Sequence, residues 1–79
     1  MTTEDYGAHA LRGILTANLG LEDDVLDRSW TASLTDLGVD SIGVLELQTV
    51  IEQRYRVSLP ETTGELSPAD IHDLVANGG

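Results

Sequence analysis

Apolar residues recur at helical spacing in three stretches of the chain. Over residues 4–18, Ala8, Leu11, Ile14, Leu15 and, one turn on, Leu19 fall on a single stripe, which is the pattern of an amphipathic helix. Thr3 is its expected N-cap, and Glu4 and Asp5 stand where the helix dipole favours acids. Gly20 is placed to end it in a left-handed conformation. His9, Arg12 and Thr16 fall on the opposite, solvent side. Over 68–77 several signals agree. Ser67 is the N-cap, Pro68 holds the first helical position and Asp70 stands three after the cap. Ile71, Leu74 and Val75 give the stripe, and Asn77, Gly78 and Gly79 end it.

Residues 41–55 carry the clearest helix. Asp40 is its expected N-cap, no proline interrupts it, and Gly43 is its weak point, at about 0.5–1 kcal/mol relative to alanine. Wound at about 100° per residue, Val44, Leu47, Ile51 and Tyr55 share one side, with Val50 at its margin. Ile42 and Leu45 fall on the other side, among Glu46, Thr49, Glu52 and Gln53. Two readings follow. Either these aliphatic side chains form a partner surface inside an acidic border, or the preceding loop folds over them.

Between the helices the period is lost. Residues 21–39 read as a long connection with scattered apolar anchors, Leu21, Val25, Leu26, Trp30, Leu34 and Leu37, and a loop of that length is often functional. A short helical turn is expected near Glu22–Leu26, a turn at Leu37-Gly38, and an anchoring role for Trp30. Val57-Ser58-Leu59-Pro60 reads as an extended exit, and 61–66 as one turn weakened by Gly64. The expected fold class is all-α: a small four-helix bundle of three main helices and one short one, with no strand.

Composition narrows what such a bundle does. Its 79 residues make one small domain, 1–79. Fourteen acids face four arginines, there is no lysine, and the net charge is −10. Each half of the chain carries seven acids and two arginines, so the charge belongs to the whole surface. Nucleic acid and anionic membranes are therefore repelled, and basic protein partners are expected. No apolar run approaches the ~18 residues of a membrane span. The N-terminal residues show no signal-peptide pattern and the chain has no cysteine, so a cytoplasmic location is the expectation.

Ser41 has a bland reading and a chemical one. Asp-Ser at a helix start is ordinary capping chemistry. As a nucleophile Ser41 would need a base. His9 and His72 lie on other helices, and no Gly-x-Ser-x-Gly elbow is present, so the chain is expected not to be an enzyme. A helix N-terminus does favour a phosphate, which makes this serine a sensible place for a phosphodiester. Glu22, Asp23, Asp24 and Asp27 form an acidic cluster without the spacing of a calcium loop. Loose divalent binding to pooled charge is expected there, and no specific metal site.

The stretch Leu37-Gly38-Val39-Asp40-Ser41-Ile42, followed by Leu45-Glu46-Leu47, resembles the prosthetic-group attachment motif of acyl carrier proteins. The resemblance runs over nearly the whole chain, through Leu59-Pro60 to the Ser67-Pro68 helix start. It implies an acyl-carrier-protein-like fold, with 4′-phosphopantetheine taken from coenzyme A and attached to Ser41 next to Asp40. It also implies that synthase enzymes read the face of Ile42, Leu45, Glu46, Thr49 and Glu52. The partners implied are a Mg²⁺-dependent phosphopantetheinyl transferase, a ketosynthase, an acyltransferase and other synthase enzymes with basic docking surfaces, and a monomer is expected. A chain that opens at Met1 and ends near the last helix reads as freestanding, with a domain excised from a larger synthase as the alternative. Gly43, where fatty-acid carriers often have an acid, Ile42 after the serine, and Leu34 at a frequently aromatic position depart from the fatty-acid pattern. Gln53-Arg54-Tyr55 and Leu59-Pro60-Glu61 look more like carriers of polyketide synthases, and antibiotic biosynthesis is the expected setting. The alternatives at this point are a carrier of fatty acids or another pathway, and an acidic helical interaction module without a prosthetic group.

Overall fold

The computed structural model describes residues 7–78. Four α-helices follow one another: α1 (Ala8–Leu19), α2 (Asp23–Arg28), α3 (Ser41–Tyr55) and α4 (Pro68–Ala76), with a 3-10 turn at Glu61–Glu65 before α4. There is no strand among the described residues. The all-α, four-helix expectation holds, and the turn expected near Glu22–Leu26 is α2. The helix start differs, because α1 opens at Ala8 behind an extended Gly7 that makes no side-chain cap. Thr3, Glu4, Asp5, the side chain of Ala8 and Gly79 lie outside the described residues.

The caps account for most of the boundaries. Gly20 adopts φ 73° and its N–H donates to Leu15 O, ending α1. Ser67 and Asp70 form a reciprocal capping box, each side chain accepting from the other's backbone N–H, with Pro68 inside it. Arg56 ends α3 in the left-handed region, its N–H donating to Glu52 O.

The core takes Leu11, Ile14 and Leu15 from α1, Leu26 from α2, Leu34 from the loop, Leu47 and Ile51 from α3, Val57, and Ile71 and Val75 from α4. α1 packs chiefly on α3 and also touches α2 and α4. Val44, Val50, Tyr55 and Trp30 are half-buried against this core, so Trp30 is the anchor its loop requires. Leu74 is not in the core. It lines a surface groove with Leu66, Asp70, Asp73 and Asn77. The reason is angular: Leu74 sits about 60° to one side of Ile71, while Val75 is about 40° to the other and faces inward.

The 29–40 loop is stitched to the far end of the chain. Leu34 N–H donates to Leu66 O (2.9 Å), Thr35 N–H to Gly64 O (3.0 Å), and Ala69 N–H to Trp30 O (3.1 Å). These bonds pair loop backbone groups with partners far along the chain, the amide of the buried Leu34 among them. They also fix the loop away from the outer face of α3.

Candidate functional site

The site is built around the first turn of α3. Asp40 is extended (φ −86°, ψ −179°), and its Oδ1 accepts from Gly43 N–H at 2.8 Å. That bond satisfies one of the amides every helix start leaves without a partner. Ser41 is the first helical residue and is exposed. Just beyond it, Ile42 is 75% and Leu45 62% exposed, the large apolar residues most open to solvent among the described residues. The loop does not cover them. Glu46, Thr49 and Glu52 are exposed on the same side, while Leu47 and Ile51 are fully buried on the other. The structure thus brings Asp40, Ser41, Ile42, Leu45, Glu46, Thr49 and Glu52 onto one accessible face.

A trough of about 490 Å³ opens beside Ser41, lined by Thr35, Val39, Asp40, Val44, Leu45, Gln48, Glu61 and Gly64. Its far wall is held in place. Thr35 Oγ1 donates to Gly64 O at 2.9 Å, and Gln48 Nε2 to Pro60 O at 2.9 Å. The buried Thr63 hydroxyl also donates to Pro60 O. No imidazole lines this trough.

A family model for the phosphopantetheine attachment site matches residues 9–72, from α1 into α4. The chain belongs to that family. The chain is also similar to two anthracycline acyl carrier proteins, DauA of Streptomyces sp. (strain C5) and DpsG of Streptomyces peucetius. Identity to each is 47% over 53 residues, which is 65% of this chain and 62% of the relative. No solved structure matches significantly. Membership in the phosphopantetheine family removes the reading of an interaction module without a prosthetic group. The group is 4′-phosphopantetheine, held covalently.

The chemistry of the trough fits such a group in this family member. A phosphodiester is favoured where α3 presents free amides and the positive end of its dipole. A chain of alternating amide and methylene groups suits walls made of Val39, Val44 and Leu45 on one hand and Thr35 and Gln48 on the other. Sequence reasoning named Asp40 and Ser41 but missed Thr35, Gln48, Glu61 and Gly64. Gln48, two turns after Ser41, was accessible by winding the helix. Thr35 and Gly64 arrive only through their long-range hydrogen bonds, and Glu61 follows Pro60, which Gln48 holds.

The remaining candidates fall elsewhere. His9 and His72 meet with Arg12 and Trp30 at a separate hollow of about 260 Å³. In the acidic cluster, Arg12 Nε binds Asp23 at 2.9 Å and its Nη2 binds Asp27 at 2.7 Å. Hydrogen bonds to Asp27 and then Asp23 hold the Arg12 guanidinium above its ordinary value. Among the described residues no group of three or more His, Asp or Glu could hold a metal ion. No described helix is long and apolar enough to cross a membrane.

Proposed function

We propose that Ser41 carries the 4′-phosphopantetheine arm and that the chain is an acyl carrier protein of polyketide biosynthesis. The carrying observation is the exposed Ser41 in the first turn of α3, behind the Asp40 cap and beside exposed Ile42 and Leu45. A modifying enzyme reaches this hydroxyl without unfolding anything. Asp40 is a positioning residue: its carboxylate is committed to Gly43 N–H and so keeps the helix start aimed at the phosphate. When attached, the arm supplies a terminal thiol on which acyl groups ride as thioesters. The polyketide setting is supported by the 47% identity to proteins named as anthracycline acyl carriers.

In this reading the chain catalyses nothing itself. It works as one carrier unit over 1–79, as a monomer, in the cytoplasm. Its partners are a phosphopantetheinyl transferase and then a ketosynthase, an acyltransferase and related synthase enzymes. Their basic surfaces meet Glu46 and Glu52, and Ile42, Leu45 and Thr49 provide the apolar contact.

Intact-mass measurement after incubation with coenzyme A and a broad-specificity phosphopantetheinyl transferase tests the assignment. The wild type should gain one phosphopantetheine, and Ser41→Ala should gain none while keeping its helical spectrum. Asp40 still caps the helix in that variant, and alanine is a good helix former. A Ser41→Ala chain that still gains the arm would place the attachment elsewhere, and one that unfolds would make Ser41 a structural residue.

A further inference from the structure

The outer face of α3 carries two open hollows end to end. The first, about 430 Å³, is lined by Ile42, Leu45, Glu46, Thr49 and Val50. The second, about 500 Å³, is lined by Thr49, Glu52, Gln53 and Arg56. Thr49 is the ridge between them. Its hydroxyl donates back to Leu45 O at 2.9 Å, so it offers a partner mainly its methyl group. Along the helix the face therefore changes character in order: apolar, then acidic, then cationic. Ile42 and Arg56 stand about 21 Å apart along it.

Arg56 is the exception on an otherwise acidic face. It is the one non-glycine residue with positive φ (60°) among the described residues, at a position where glycine is the usual solution. An arginine near a helix C-terminus is favourable to the dipole, but Arg54 already stands in the last turn of α3. What Arg56 adds is a guanidinium lining the same hollow as the Glu52 carboxylate.

We propose that Arg56 makes this face directional. The partner, beginning with the phosphopantetheinyl transferase, seats an apolar side chain against Ile42 and Leu45, a basic one against Glu46 and Glu52, and a carboxylate against Arg56. A purely acidic face would accept a basic enzyme in either direction along α3. The cation at the far end penalises the reversed approach, in which basic side chains meet Arg56. The proposal rests on the reading that enzymes dock on this face.

The test is the rate of pantetheinylation (kcat/KM) at low salt for the full chain, with coenzyme A and the transferase. The informative feature is a sign. If attraction between an acidic chain and a basic enzyme were all, Arg56→Glu would speed loading by making the chain more negative. A directional face predicts the opposite, a loss of about two- to fivefold, the worth of an exposed ion pair, fading at high salt. Arg56→Lys should keep most of the rate. Arg56→Gly should lose rate while melting no lower than wild type, because glycine accepts the left-handed cap. Leu45→Ala and Glu52→Lys report separately on the docking face. If both slow loading while Arg56→Glu leaves it unchanged or faster, directionality is overturned and the face stands. If neither slows loading, the docking face itself is misplaced and the proposal falls with it.

Discussion

At Gly43 the first turn of α3 lies tight against the loop that precedes it. A Cβ built there would stand 2.8 Å from Val39 Cγ1 and 3.4 Å from Asp40 Oδ1. Helix propensity alone favours Gly43→Ala by about 1 kcal/mol. Crowding opposes it, since overpacking costs about 1–3 kcal/mol and the β-branched Val39 has little rotamer freedom to yield. The clash should win. We expect Gly43→Ala to lose about 1 kcal/mol in denaturant unfolding, and Val39→Ala in that background to cost less than it does alone. A variant more stable than wild type would show that propensity dominates. The same contact gives a physical reason for the absence of the acidic side chain expected at this position in fatty-acid carriers.

At the scale of elements, α3 is the test case, because its two faces do different work. Leu47 and Ile51 are fully buried and Leu45 is 62% exposed. Leu47→Ala or Ile51→Ala should cost about 2–5 kcal/mol by leaving a cavity. Leu45→Ala should stay within about 0.5 kcal/mol. Melting curves of the three variants check this, and equal losses for Leu45 and Leu47 would mean that Leu45 is covered. The bounds of α3, its Asp40 cap and the division between its two sides were legible in the sequence, although winding alone does not decide whether the loop covers Ile42 and Leu45 and nothing signals the left-handed Arg56 cap. Asp40 caps by its own side chain, and the helix is long enough for winding to separate its sides. α4 was legible for the same reason, down to the Ser67–Asp70 box, although Leu74 at the edge of a short stripe was not. Hidden from the sequence were the elements whose backbone is satisfied at a distance. Nothing local in Thr35 or Gly64 announces that they pair, and so the wall facing Ser41 went unread. The meeting of His9 with His72 depends likewise on how α1 and α4 lie together.

The whole molecule carries −10 on a body measuring 35 × 23 × 20 Å. At about 10 mM ionic strength the screening length is about 30 Å, so almost every acid repels every other; at 150 mM it is about 8 Å. The opposing effect is the weakening of Arg12's pairs with Asp23 and Asp27, whose carboxylates are 69% and 63% exposed, and exposed pairs contribute little. Relief of repulsion should therefore dominate. The melting temperature should rise by several degrees between those salt concentrations, a shift of about 4–8 °C corresponding to 1 kcal/mol in a domain this small. A flat or falling curve would mean that Arg12's pairs matter more than the summed charge.

The bonds from Leu34 to Leu66, Thr35 to Gly64 and Trp30 to Ala69 also bear on the order in which the molecule can mature. Ser41 and its Asp40 cap stand at the middle of the sequence, yet the segment leading into them is anchored to residues 64–69. A chain shortened to residue 55 could wind α3 but would have nothing to hold the loop in front of it. The groove beside the serine forms only when Pro60 through Ala69 are folded against it. An enzyme that reads that assembled shape would thus act on folded chains and pass over unfolded ones, so the architecture orders the modification after folding as well as placing it.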